Sequence, residues 1–271
     1  MSKARKLFKA LSLILQQPSL LNKVLDDADV NKKAVAEKHS LPDGLPCVDI
    51  CSLLPGFDET VSPFCYLDGG STPIDLALLK GLAKKFNGCE YFEIGTWRGE
   101  SVANVASVAK HCTTLNLPDN EMLRMGLSKK YVELHRFYSK HLQNVTHLQG
   151  NSLSYDYKSL GKKFDLIFID GDHHYESVMS DTKNAFSLLR DEHSMIVWHD
   201  YGNHPNDVRW DVLRGILDGT PAGKQKHLYR VSNTLCALYT TAPVPSYRQE
   251  APETPAKSFS IHLRANTGEA L

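Results

Sequence analysis

The sequence predicts a doubly wound α/β fold. It would hold a mostly parallel seven-stranded sheet with helices on both faces, a C-terminal antiparallel hairpin, and a helical extension before it. Three observations carry that expectation. Apolar runs of strand length alternate with helix-length periodic segments from about residue 90 to 240. The run FDLIFID at 164–170 is almost continuously apolar, the pattern of a strand covered on both faces. A turn with two glycines, GTWRG at 95–99, joins the first strand to a helix, and such sheets bind ligands at connections of this kind.

Along the chain of 271 residues, the expected division is an extension (1–70), an α/β domain (71–241) and a proline-rich tail (242–271). In the extension Leu7, Leu11 and Ile14, with Phe8 and Leu15 beside them, share a helical face, and Lys3, Lys6 and Lys9 lie elsewhere. This predicts a packed amphipathic helix within a helical region reaching to about residue 40. The uninterrupted run at 10–15 is short for a signal-peptide core, and no stretch is long and apolar enough to span a bilayer. Residues 41–73 hold five prolines and four glycines and read as an irregular connector. Thr72 and Pro73 then open a helix, Thr72 as its cap.

Strands are expected at 91–94, 113–117, 145–149, 164–170, 194–199, 228–231 and 235–240, the last two as the hairpin. Helices are expected at 101–110, 121–141, 175–189 and 208–217. FSIHLRA at 259–265 reads as a late edge strand.

Lysine plus arginine equals aspartate plus glutamate, 31 each, so no basic excess marks a nucleic-acid partner. The six cysteines form no C-x-x-C pair, and free thiols in a reducing cytoplasm are expected.

In the turn, Gly95 and Gly99 let backbone approach a ligand without a Cβ in the way, and the helix start beyond them offers unpaired N–H groups. The spacing is G-x-x-x-G, whereas dinucleotide sites favour G-x-G-x-x-G. Glu93 stands just before the turn, where a carboxylate repels a pyrophosphate and suits a cation. The residues thus point to a nucleoside with a positive group.

YFEIGTWRGES resembles motif I of the class I S-adenosylmethionine-dependent methyltransferases, acid-x-Gly-x-x-x-Gly. FDLIFIDGDHHYESV and IVWHDY resemble the fourth and fifth strands of a bacterial branch that includes small-molecule and sugar O-methyltransferases. The resemblance spans about residues 73–240. It implies a Rossmann-like fold with S-adenosylmethionine as cofactor. Glu93 and the backbone of Gly95, Thr96 and Gly99, with Ser101, would then hold the methionine end. The family's ribose-binding acid is replaced by Asn116, with Asp119 nearby, and its Gly-Asp-Ser near the adenine by Gly150-Asn151-Ser152. Asparagine accepts a hydrogen bond without charge, so the contact is weaker. Asp170 would also border the cofactor.

IDGDHHYE and WHDYGNH close two neighbouring strands and gather Asp170, Asp172, His173, His174, His199 and Asp200 at one mouth. Methyl transfer to a hydroxyl needs alignment and removal of a proton. His173 and His199 are candidate bases, with Asp170 a third catalytic candidate. Alternatively Asp170, Asp172 and Asp200 would hold a divalent metal. Magnesium suits oxygen ligands, and a histidine ligand would favour manganese, iron or zinc. Asp172 has a further reading as the cap of the helix at Tyr175. The expected function is methyl transfer to a small, hydroxyl-bearing acceptor, sugars among them, by a cytoplasmic enzyme, with a homo-oligomer as a further option. Two rivals stand beside it: a non-catalytic nucleoside binder, suggested by Asn116 and Asn151, and a metal-dependent phosphoesterase, whose motif Asp172-His173-His174 spells.

Overall fold

The near-continuous apolar run at 164–170 lies at the middle of the sheet, where neither face meets water. A computed structural model describes residues 2–17 and 28–267. In it β5 (Leu166–Ile169) sends Leu166 and Phe168 into one core and Ile167 and Ile169 into the other. All four are buried, and a fully buried side chain of this size contributes about 1.5–3 kcal/mol.

The flanking strands are β2 (Glu90–Ile94), β3 (His111–Asn116), β4 (Val145–Gln149) and β6 (Met195–Trp198). They run parallel in the order β4-β3-β2-β5-β6. The chain builds outward from β2 to β4, then returns to lay β5 on the other side of β2. That reversal opens a crevice at the carboxyl ends of β2 and β5. Beyond β6, β7 (Leu228–Val231) and β8 (Ala237–Tyr239) form the antiparallel hairpin, β8 pairing with β6.

One face is covered by α2 (Ala28–His39), α8 (Tyr175–Leu188) and α9 (Trp210–Gly219). These bury Val35, Val178, Ala185, Leu213 and Ile216 against Phe92, Ile167 and Ile196. The other is covered by α3 (Ile50–Leu53), α4 (Pro73–Ala83) and α5 (Glu100–Ala106), through Leu53, Leu78, Leu82 and Val105 against Tyr91, Phe168 and Val197.

The structure departs from the expected elements at five places. The sheet has nine strands, not seven, among the described residues. The two additions are β1 (Cys47–Val48), parallel to β7, and β9 (Ser246–Tyr247), antiparallel to β1. Two-residue strands leave no periodicity to read, and both lie in segments rich in proline. The single helix expected at 121–141 is divided into α6 (Asp119–Arg124) and α7 (Lys129–Glu133), because Gly126 at φ +89° breaks the ladder between them. Residues 259–265 join no strand, and Phe259, Ile261 and Leu263 are exposed. The helical region expected to reach residue 40 is present as α1 (Lys3–Gln16) and α2, and residues 18–27 fall outside the described residues. Finally, α1 does not pack: none of its residues is buried.

The closest helix pairing is α8 on α9, and two glycines one turn apart allow it. A Cβ on Gly215 would stand 2.8 Å from Val178 Cβ, and one on Gly219 2.6 Å from Thr182 Cβ. Alanine raises helix propensity over glycine by about 1 kcal/mol, while overpacking a closed contact costs about 1–3 kcal/mol. The clash should win. Gly219→Ala is expected to lower unfolding stability by about 1–2 kcal/mol, read by urea denaturation; an unchanged or raised midpoint would show that the helices can part freely.

Candidate active site

The glycine turn begins where β2 ends in buried Glu93 and Ile94. Gly95 (φ +94°) passes so close to the end of β5 that a Cβ would lie 2.0 Å from the Asp170 carbonyl oxygen. At Gly99 (φ +82°) a Cβ would lie 2.3 Å from Ser139 Oγ. Both glycines are therefore required by neighbouring protein. Trp97, between them, is also left-handed at φ +42°, a conformation that costs a non-glycine residue roughly 1–3 kcal/mol. The carbonyls of Trp97 and Arg98 accept from the amides of Arg136 (2.7 Å) and Tyr138 (2.9 Å). Their own amides have no acceptor among the described residues. Successive free N–H groups in such a turn form a concavity that receives an anion.

Glu93 lies beneath this turn, not in the crevice. It is fully buried and accepts from Tyr91 Oη at 2.7 Å and Thr114 Oγ1 at 3.3 Å, with the Ser101 hydroxyl a further donor. Burial outweighs these donors and pushes its carboxyl up to about 8, with the charge of Asp170 acting in the same direction. Thr96 Oγ1 shares a 2.5 Å hydrogen bond with Thr114 Oγ1, and Thr96 N donates to Asn116 Oδ1 at 3.3 Å. Asn116 thus braces the turn from the end of β3. Asp119 is paired with Arg136 at 2.9 Å. Asn151 is exposed, and its Oδ1 accepts from Leu153 N at 3.0 Å within its own turn. Ser152 is half-buried near Asp181, whose carboxyl burial pushes up to about 7.

The acids and histidines after β5 and β6 meet around one imidazole. His199 Nε2 is 3.3 Å from Asp75 Oδ2, and His199 Nδ1 is 3.1 Å from Asp170 Oδ1 and 3.3 Å from Asp200 Oδ2. The Nδ1 contacts are ion-pair distances without hydrogen-bond alignment. Asp200, left-handed at φ +58°, turns its carboxylate to His173 Nδ1 at 3.1 Å and Arg209 at 3.7 Å. Ser71 Oγ donates to Asp170 Oδ2 at 3.4 Å. The result is a line of side chains in which carboxylates alternate with imidazoles, Asp75, His199, Asp200, His173, running from the buried end of α4 to the crevice. Burial disfavours the His199 cation, but Asp170, Asp200 and Asp75 outweigh it and hold its pKa well above the ordinary imidazole range. Burial likewise opposes ionisation of Asp200, yet His199, His173 and Arg209 bring it down to about 2.

Asp75 and Arg209 are the members that the sequence did not single out. Asp75 sits three residues after Thr72, and its Oδ2 accepts from Thr72 N (2.8 Å) and Oγ1 (2.6 Å), while Oδ1 accepts from Leu235 N (2.8 Å). The T-x-x-D spacing of a capping box was the available signal. Its second task, facing His199, is a long-range contact that no local pattern carries. Asp172 stands apart from the cluster. It accepts from His174 Nδ1 at 2.5 Å and Ser177 Oγ at 2.7 Å and closes the first turn of α8. Among the described residues, the three side chains that could share a cation, with donor atoms within 4.8 Å of one another, are Asp170, His173 and Asp200. Beside the turn, residues 62–68 are strapped onto α5. Arg98 donates to the carbonyls of Leu67 and Asp68, Glu100 accepts from Cys65 N at 2.8 Å, and Asn104 binds Ser62 N and the Pro63 carbonyl, both at 2.8 Å.

The buried charges fix a pH dependence. Glu93 stays protonated in the folded chain up to about 8, whereas in the unfolded chain it ionises near 4.5. The folded state therefore holds the extra proton, and stability falls as pH rises between those values. His199, raised in the folded state, contributes stability that is full below about 6.5 and fades as pH climbs through its folded value. Both point the same way. Urea unfolding should show stability declining from pH 5 to 8, and Glu93→Gln should remove on the order of 3 kcal/mol of that decline. A parallel decline in the variant would mean that Glu93 is ionised when folded.

Residues 92–201, which run from β2 through the end of β6, match the family model described as a methyltransferase domain. No curated protein sequence matches the chain. Among solved structures, the fold is similar to an O-methyltransferase from Bacillus cereus in complex with SAH (16% identity, covering 82% of this chain and 96% of that one, TM-score 0.42). It is also similar to the SAH-bound methyltransferase of Podospora anserina (16%, 66% and 82%, TM-score 0.47). A third is a TDP-rhamnose 3'-O-methyltransferase of calicheamicin biosynthesis (12%, 63% and 79%, TM-score 0.43). The matched residues 92–201 contain the glycine turn and, of the acid–histidine mouth, Asp170, His173, His199 and Asp200, while Asp75 and Arg209 lie outside them. Residues 92–201 thus form a methyltransferase domain, consistent with the class I S-adenosylmethionine-dependent methyltransferases.

Proposed function

We propose that this enzyme methylates a hydroxyl group of a small molecule, with His173 as the general base. One contrast carries the reading. His173 is partly exposed at the crevice with Nδ1 on Asp200, while His199 is buried among three carboxylates that keep it protonated. A base must reach the acceptor and have room for a proton. His173 meets both conditions. Asp200 fixes the ring and offsets the charge that His173 gains on taking the proton, and His199 keeps Asp200 ionised for that task.

S-adenosylmethionine, when bound, supplies a methyl group on a cationic sulfonium. The free amides of Trp97 and Arg98 suit its carboxylate, and the acids Glu93 and Asp170 suit its positive charges. Asn116 would face the ribose hydroxyls and Asn151 with Ser152 the adenine. Gly95, Thr96, Gly99 and Ser101 shape the cradle. The chain's own part in the reaction is then to align the acceptor oxygen with the sulfonium, exclude water beneath the strapped 62–68 segment, and hold the departing proton at His173. All six cysteines are free thiols, which supports a cytoplasmic setting.

A second reading is favoured by the proximity of Asp170, His173 and Asp200 donor atoms. Two carboxylates and an imidazole suit manganese, iron or zinc better than magnesium. A cation held there would orient acceptor oxygens and lower a hydroxyl pKa, and it would have to displace the proton that makes His199 a cation.

The test uses labelled methyl donor and a panel of small hydroxyl-bearing acceptors, sugars included. His173→Ala should lower kcat by about 10²–10⁴-fold while calorimetry shows unchanged cofactor affinity. Undiminished turnover would remove His173 from the reaction. Activity that survives a chelator supports the proton-transfer reading; activity lost in chelator and restored by manganese supports the cation.

A separate measurement probes the cradle. Glu93→Ala should weaken S-adenosylmethionine binding about tenfold or more through loss of the buried carboxyl that would ionise when a cation binds above it, and equal affinity by calorimetry would place the cofactor elsewhere.

A further inference from the structure

Helix α1 stands outside both cores. Ser2 caps it, its Oγ accepting from Arg5 N at 3.4 Å, and none of its fourteen residues is buried. Its large apolar side chains are left in water: Leu7 is 60% exposed, Phe8 73%, Leu11 49% and Leu15 82%. At 3.6 residues per turn, Ile14, Leu7, Leu11, Ala4, Leu15 and Phe8 fill one continuous arc of about 120°. The remaining circumference carries Ser12, Arg5, Gln16, Lys9, Lys6 and Lys3, interrupted by Leu13 and Ala10. The helix holds four cations and no carboxylate, while the whole chain is balanced at 31 of each sign.

We propose that α1 lies in the surface of an anionic lipid bilayer and tethers the enzyme there. Its arc is broader than the narrow seam of a coiled coil and matches a flat apolar boundary. Its cations flank the arc and can extend along their alkyl stems to phosphate-level charge. The charge argues against a second copy of this helix as the occupant. Pairing two copies would bring Lys3, Arg5, Lys6 and Lys9 of each near those of the other with no acid to separate them. With fourteen residues it is too short to cross the bilayer, and no helix among the described residues is long and apolar enough to do so. The inference stands independently of the acceptor and of the base.

The experiment is flotation of the full chain with vesicles of phosphatidylcholine alone and of phosphatidylcholine with phosphatidylserine. The protein should float with the anionic vesicles and stay in the bulk with the neutral ones. Binding should weaken as salt rises, and about fivefold for each of Arg5, Lys6 and Lys9 exchanged for glutamine. The double variant Leu7→Ser, Leu11→Ser keeps every cation and should lose at least tenfold in partitioning. It should keep the wild-type unfolding midpoint and cofactor affinity, because no residue of α1 enters a core. Wild-type protein that ignores anionic vesicles overturns the proposal, as does equal flotation with both vesicle types. A wild-type dimer in sedimentation that the double variant converts to monomer, with no vesicle binding by either, would assign the face to a second copy instead.

Discussion

The contact between Asp75 and His199 is the constraint around which the site is built. Asp75 is fully buried on α4, His199 nearly so at the end of β6, and the carboxylate also receives Thr72 and the amide of Leu235 beside the hairpin. Three pieces of chain distant in sequence converge on one charge. A buried ion is tolerated only when paired and hydrogen-bonded. Asp75 has four hydrogen-bonding partners besides its imidazole when the thiol of Cys236 is included, so its ionised form is the stable one. That in turn makes His199 a cation, which then gathers Asp170 and Asp200 at the crevice. Reactive groups at the surface are positioned by a neutralisation problem solved in the interior.

The same site contains the opposite solution. Glu93, equally buried, has hydroxyl donors but no cationic partner among the described residues, and it keeps its proton to about 8. Two carboxyls with similar burial thus differ in protonation because one faces an imidazolium and the other faces tyrosine, serine and threonine. A positively charged ligand above the turn would supply what Glu93 lacks, so cofactor binding and ionisation of Glu93 should favour each other. The strain at Trp97 fits this picture. Its left-handed backbone leaves two amides aimed outward in an otherwise satisfied turn, and strain of this kind persists where the surrounding structure fixes it.

What could be read in the sequence follows how local each feature is. The strand at 164–170 announced itself because burial on both faces leaves an uninterrupted apolar run, and the turn at 95–99 because close backbone approach leaves glycine as the workable residue. The glycine argument reached the right positions by an incomplete route. It looked to a ligand, whereas the missing Cβ atoms are demanded by the Asp170 carbonyl and Ser139. The strands at 47–48 and 246–247 were invisible because two residues cannot display a period. Asp75 was readable as a cap and unreadable as a partner of His199, which lies 124 positions away. The apolar stripe of α1 was legible, but whether such a stripe meets a core depends on surfaces elsewhere in the fold, and here none of the described residues buries it.

Environment, more than residue type, separates the two histidines of the mouth. In sequence they are equivalent, each flanked by an aspartate. In the structure His199 is enclosed by Asp75, Asp170 and Asp200, and the proton it holds is worth more to the fold than to any reaction. His173 has only Asp200 and partial access to water. A proton acceptor needs a charged state that the site can stabilise but does not already require. His199 fails the second condition, and in the proposed reading His173 meets both through Asp200, which also faces Arg209 at 3.7 Å. A buried cation that fixes a carboxylate beside a half-exposed imidazole is an arrangement in which the fold's own electrostatic needs would set the direction of proton flow in the proposed reaction.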